Sequence, residues 1–330
     1  PMNSNTLRQL FMCEVWVNKL IKEFPGLNSV NYYINQTYYN LNSCLLDTDF
    51  EGLDKIYTLE LNSVIDKKSY TYVVSKATSN FDMYLIMHDH RSEILIEDEE
   101  SIKTLSNNLP LVFSKNIFSY LLNIFCYMIS SNNLIRNTQL FDRCKEYVFN
   151  KHIVLLENSN NNERIKCEID MEGNKREEIK IINHGKIENF FSNEHTSSLL
   201  KIKNTASSFR LNNTSYPCPM PTSVSFHLDN IKREYNNIYE MNFNCIYINQ
   251  LTGAETGIDF YTGKLNIVCK GFLLKYNGCK VKTEILLKSD FFELLNSIKM
   301  SSNESNYNND GSILAPEILT EGLNYEIIQL

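Results

Sequence analysis

The sequence is short of several features that would declare a function at once. No apolar run approaches the roughly 20 residues that a helix needs to cross a bilayer, so no membrane span is expected. There is no basic excess: 32 Lys and Arg face 39 Asp and Glu, for a net charge of −7, which argues against a nucleic-acid partner. No Cys-x-x-Cys occurs, and the nine cysteines are irregularly spaced. An odd count without regular spacing argues against a disulfide framework and favours a reducing compartment. Neither H-E-x-x-H nor H-x-x-E-H occurs. Gly253, Gly257 and Gly263 are not followed by the Lys-Ser/Thr of a phosphate-binding loop. Leu7 to Phe24 carries Arg8, Glu14 and Lys19, unlike a secretory signal. The expectation is a soluble, cytoplasmic protein.

What is present is enough for a core. Hydrophobic residues make up 43% of the 330 and aromatics 12%, a length that suits one large domain or two modest ones. Asn5 to Phe24 has helical spacing and stops at Pro25-Gly26. Val30–Tyr39, Ser43–Asp47, Lys55–Leu61 and Ser69–Ser75 read as strands, and Ser79 caps a helix from Asn80 to Leu95. His88 and His90, two apart on that helix, point away from each other and make no metal pair. A small α/β domain is expected over residues 1–108.

Pro110 opens the second region, residues 109–330. Leu111–Phe113 reads as a strand. Ser114 caps a helix apolar on all sides from Ile117 to Ile129, which should be buried. A short helix is expected over Phe141–Phe149 and a strand over His152–Leu156. Glu178–Ile182 and Ile187–Phe191 read as strands around an Asn183-His184-Gly185-Lys186 hairpin turn, and Glu194–Lys203 as a short helix or loop. Pro217, Pro219 and Pro221 favour an extended, exposed segment. Beyond it the text is strand-rich: Val224–Leu228, Asn244–Asn249, Leu265–Lys275, Cys279–Leu287, Ile313–Leu319 and Tyr325–Leu330. A helix capped by Asp290 and Glu293 spans Asp290–Met300, and Ser301–Asp310 reads as polar and mobile. The fold class expected is α+β, with a larger, mostly antiparallel C-terminal domain.

The order of these pieces resembles one family. Asp170, Glu172 and Gly173, then Ile182 and Gly185, then Phe190 and Thr196 fall on the pattern of the TldD/TldE (PmbA, modulator of gyrase) metallopeptidases. The likeness continues through Tyr247-Ile248-Asn249, Thr252-Gly253, Thr262-Gly263, Gly271-Phe272-Leu273, Asn277-Gly278, Glu293-Leu294-Leu295, Ala315-Pro316 and Glu321-Gly322-Leu323. The Asp-Phe-Ser that follows Thr-Gly in the family is replaced by Lys264-Leu265-Asn266. In active subunits of that family a Leu-Leu pair leads into H-E-x-x-x-H. The resemblance implies that the histidines bind zinc with a C-terminal cysteine while the glutamate acts as base. Here Leu121-Leu122 leads into Asn123-Ile124-Phe125-Cys126-Tyr127-Met128, and no cysteine follows Cys279.

The resemblance therefore implies the non-catalytic, TldE-type subunit of a heterodimer. It would hold no cofactor itself, its TldD-like partner would hold zinc, and the pair would trim small extended peptides such as the leader of a ribosomally made natural product. Asp170 and Glu172 read either as an acid–base pair or as a charged turn beside a hairpin. His184 and His195 flank that hairpin, near a cleft. Tyr216, Pro217, Pro219 and Phe226 lie in the extended stretch suited to a partner or substrate. Two other readings stand beside this one. The first is a stand-alone peptide-binding or scaffold protein, homodimeric in one version. The second is a non-zinc enzyme working through Cys218 or the Asp170/Glu172 pair.

Overall fold

The computed structural model describes the backbone of residues 27–40, 53–65 and 68–76, and residues 108–158, 168–210, 215–229, 234–235, 243–275, 280–307 and 312–329. The chain divides into two compact units, the first built from residues 1–42 and 49–96 and the second from 43–48 and 97–330. In the first unit β1 (Leu27–Asn40), β2 (Leu53–Ile65) and β3 (Lys68–Lys76) form an antiparallel meander, with Tyr32 opposite Leu61 and Leu61 opposite Tyr72. These strands run further at both ends than their β-branched and aromatic cores suggest, because the ladder propagates through the flanking polar residues once a partner is in place. The helices expected over 5–24 and 80–95 and the strand over 43–47 lie outside the described residues.

The second unit begins with β4 (Leu111–Phe113) and α1 (Lys115–Met128). Ser114 caps α1, its hydroxyl accepting from the Ile117 amide at 3.4 Å. Two short helices follow, α2 (Ser131–Leu134) and α3 (Thr138–Glu146), and then β5 (Ile153–Glu157), β6 (Ile179–Asn183) and β7 (Lys186–Ile187). After α4 (Glu194–Leu200) come β8 (Ser208–Phe209), β9 (Cys218–Pro219), β10 (Val224–Leu228) and β11 (Glu234–Tyr235). β12 (Cys245–Thr252), α5 (Ala254–Gly257), β13 (Lys264–Leu274), β14 (Lys280–Asp290) and α6 (Phe291–Asn296) lead to β15 (Ile298–Tyr307), β16 (Ile313–Thr320) and β17 (Tyr325–Gln329).

Twelve of these strands make one mixed sheet whose main path runs β17-β14-β13-β12-β4-β16-β10-β5-β6-β7, with β15 beside β16 and β11 beside β15. Most pairs are antiparallel; β4–β12, β10–β16 and β11–β15 are parallel. This is the α+β, mainly antiparallel architecture expected. α1 packs across β16, β15 and β12. Its residues Phe118, Leu121, Leu122, Phe125 and Cys126 sink into a core shared with Leu155, Phe226, Ile246, Ile248 and Ile318. A second aromatic cluster joins α1 to α6: Phe125 sits edge-on to Phe149, and Phe149 stacks on Phe292 at 5.5 Å. Among the described residues no helix is long and apolar enough to cross a membrane.

Four local expectations differ from the structure. Residues 301–307 form part of β15 rather than a mobile loop, because β16 and β11 supply ladders for an otherwise polar text. The helix after Asp290 stops at Asn296 for the same reason. Ile187–Phe191 pairs only at its first residue, since the Glu188 and Asn189 amides both turn back to the Ile181 carbonyl. α1 is buried on one side only: Tyr120 is exposed, and Asn123, Ile124 and Tyr127 are half-buried.

Candidate functional site

The partly open stripe of α1 is the first feature of interest. Positions 120, 123, 124 and 127 share a helix face by the three- and four-residue rule, and they carry Tyr, Asn, Ile and Tyr. Met128 points elsewhere. It is fully buried, and a Cβ built on Gly263 would lie 3.2 Å from its sulfur, with Phe292 alongside. Cys126 is also buried, and burial followed by the charge of Glu157 pushes its thiol well above the ordinary range, so it stays protonated and is a poor metal ligand. A neutral amide, an aliphatic chain, a protonated thiol and a buried thioether do not fit zinc, which takes imidazole, thiolate or carboxylate donors. Among the described residues no group of three or more His, Cys, Asp or Glu is placed to hold a metal ion.

The second feature is the turn at Asp170. The Asp170 carboxylate is buried and works within the chain. One oxygen accepts from the Glu172 amide at 3.0 Å and the Asn174 amide at 2.9 Å, and the other from the Ser208 amide at 3.3 Å. Gly173 closes the turn at φ +83°. Glu172 is exposed and caps the first turn of α4, accepting from the Glu194 amide at 2.9 Å. Asn193 and Thr196 form a reciprocal capping box on the same helix end. The Met171 amide donates to the Ser208 carbonyl, and β8 pairs with β9 as a separate two-stranded sheet. Asp170, Glu172, Ser208 and the proline-bearing β9 segment are thus one assembly. The geometry makes Asp170 and Glu172 turn and helix caps; their carboxylates are occupied with amides of the chain itself.

Beneath this assembly lies a buried ion pair. Arg176, at the end of the Asp170 turn, donates through one amino group to Glu157, the last residue of β5, and to Thr222 at 2.7 Å; the Thr222 hydroxyl also lies 3.0 Å from the same Glu157 oxygen. Both side chains are 2–3% exposed, and the guanidinium sits 4.8 Å from the Phe209 ring centre. Burial pushes the Glu157 carboxyl up, and Arg176 and Thr222 draw it part of the way back. Sequence reasoning passed over this pair. One signal was available: Ile153, Leu155 and Glu157 share a strand face, which places a carboxylate on the core side.

The remaining candidates scatter. His184 sits at the tip of the β6–β7 hairpin at φ +45° and His195 on the exposed side of α4. Tyr216 is 92% exposed and Pro217 half-buried, but Pro219 is buried, so the proline segment is extended without being wholly exposed. Phe226 is a correction to the expectation of a partner- or substrate-facing ring. It is 2% exposed and packs edge-on to Phe118 at 4.9 Å, because β10 turns its alternate residues toward α1. Cys218 is half-buried, burial raises its pKa, and no hydrogen bond to a histidine is found for it among the described residues.

With this geometry in view, residues 106–326 match the profile of the PmbA/TldA metallopeptidase C-terminal domain. Among curated proteins no sequence matches significantly. Solved structures do. TldE from Thermococcus kodakarensis superposes with a TM-score of 0.72 at 14% identity over 96% of this chain and 73% of that one. A candidate modulator of DNA gyrase from Bacteroides thetaiotaomicron VPI-5482 gives 0.72 at 15% over 99% and 72%. A similarly described protein from Thermotoga maritima MSB8 gives 0.71 at 17% over 96% and 73%. At such identities the likeness is one of fold.

Proposed function

The chain belongs to the PmbA/TldA metallopeptidase family, and on that premise we propose that it is the non-catalytic subunit of a heterodimeric zinc peptidase. Its TldD-like partner holds the metal and performs the hydrolysis. This chain completes the cleft in which a small extended peptide lies, the leader of a ribosomally made peptide natural product being the substrate class favoured. The observation that carries the reading is the helix face of α1. In the resemblance drawn from the sequence, active subunits place two histidines and a glutamate after the Leu-Leu pair. Here Asn123, Ile124 and Met128 stand at those positions, the first two on a half-buried face and the third packed on Gly263. No proton acceptor replaces the glutamate there, which supports a reading in which another chain supplies the hydrolysis.

Size-exclusion chromatography with light scattering tests the pairing, run on this chain, on a homologue carrying H-E-x-x-x-H from the same genome, and on both together. The reading expects a one-to-one complex. An obligate interface of that kind buries more than about 2,000 Å², and the complex should elute as a single peak at micromolar concentration. Two separate peaks at micromolar concentration would favour the stand-alone peptide-binding or scaffold reading.

A further inference from the structure

The Asp170 turn and the β8–β9 ladder are bonded to each other more than to the large sheet. Within the turn the Arg176 amide donates to the Glu168 carbonyl at 2.8 Å and the Asp170 amide to the Asn174 carbonyl at 3.0 Å. Outward, Met171 donates to Ser208 at 2.9 Å, and Met220 donates to Ser207 at 3.0 Å. β8 and β9 pair only with one another among the described residues. Among the described residues the polar join to the twelve-stranded sheet is made mainly by side chains, beside one main-chain bond from the Asn158 amide to the Ser223 carbonyl at 3.0 Å. Arg176 reaches Glu157 at the end of β5 and Thr222 at the lead-in to β10, while its guanidinium lies over Phe209 of β8. The other guanidinium nitrogen, Nη1, and the other carboxylate oxygen, Oε2, are buried and have no hydrogen-bond partner among the described residues, so among these residues each ion is compensated chiefly by its counterpart.

We infer that the Glu157–Arg176 pair is a latch holding the Asp170 turn and the β8–β9 ladder to the sheet as one platform, which opens as a unit while the sheet stays folded once either ion loses its partner. The platform bears Glu172, Cys218 and the exposed Tyr216, so the latch decides whether these groups are presented together. This inference does not rest on the peptidase reading, because it concerns the isolated chain.

Hydrogen exchange followed by mass spectrometry on the full-length chain tests it. In Arg176→Met the amides of residues 168–176 and 215–222 should exchange about 100-fold faster, while β12, β13 and β14 keep their protection, since an uncompensated buried carboxylate is relieved by local opening. In Glu157→Leu/Arg176→Met, where neither ion remains, exchange should return to within about tenfold of the native rate. Arg176→Lys, which retains the charge but not the fork or the ring contact, should fall between. Unchanged exchange in Arg176→Met, equal acceleration of the sheet strands, a chain that fails to fold, or a double variant that stays open would each overturn the latch.

Discussion

Replacing Gly185 with alanine is the perturbation whose cost the structure defines most closely. Gly185 and His184 are the two central residues of the hairpin joining β6 to β7, at φ +81° and +45°, the signs that a type I′ turn requires. Two penalties add. The left-handed backbone costs a residue with a Cβ about 1 kcal/mol relative to glycine. The new Cβ would also lie 2.5 Å from the Phe149 carbonyl oxygen and 2.8 Å from that of Asn150, and both are main-chain atoms. Phe149 donates to the Gly185 carbonyl at 2.8 Å and Gly185 to the Ile153 carbonyl at 3.0 Å, so the turn cannot back away without losing bonds. Overpacking of this kind costs about 1–3 kcal/mol, giving a sum of about 2–4 kcal/mol. Gly173→Ala is the control: φ is +83° but no atom of the described residues lies within 4 Å of the added Cβ, so only the first penalty of about 1 kcal/mol applies. Urea unfolding of both variants, with slopes checked for constancy, reads the difference. Equal losses in the two variants would refute the contact argument, and no loss in either would refute the positive-φ argument as well.

Other consequences follow from single contacts. Tyr325→Phe removes a hydroxyl that accepts from the Leu109 amide at 2.8 Å and lies 3.1 Å from its carbonyl, and should cost about 1 kcal/mol in chemical denaturation. Asp170→Asn sets an amide NH₂ where the carboxylate now accepts amide protons on both oxygens, and should lower stability by about 1–2 kcal/mol; an unchanged midpoint would contradict the capping role. Among the described cysteines, burial pushes Cys144, Cys245 and Cys269 up to about 12 and Cys126 well above its ordinary value. Iodoacetamide at pH 8 should therefore label Cys218 before any of these four in native protein, read by peptide mass mapping; early labelling of Cys126 would contradict the packing of α1.

Much of the strand content was legible because it is written in β-branched and aromatic runs between turn residues, as in Leu265–Lys275 and Ile313–Leu319. β15 was not, because Ser301-Ser302-Asn303 is strand only by virtue of its neighbours β11 and β16; tertiary pairing overrides local preference there. The half-buried stripe of α1 was illegible for a related reason. A helix apolar all round gives no sign of which side the sheet will cover, and only the packing on β16 and β12 leaves Tyr120 exposed and Asn123, Ile124 and Tyr127 half-buried. Asp170 and Glu172 were legible as a charged turn, while their division of labour, one buried beneath Ser208 and one capping α4, depends on contacts 38 and 22 residues away. Arg176 and Glu157 offered the least, since neither sits in a motif and their partnership is visible only once β5 and the Asp170 turn are brought together.

Under this proposal the chain supplies architecture and a TldD-like partner the chemistry. The most direct measurement is a peptide-cleavage assay, with zinc determined on the same samples, performed on this chain alone, on the H-E-x-x-x-H homologue alone, and on the reconstituted pair. About one zinc per pair is expected, with no cleavage by this chain and cleavage only by the mixture. Stoichiometric zinc in the isolated chain with chelator-sensitive cleavage, or full activity of the homologue with no complex formed, would contradict it.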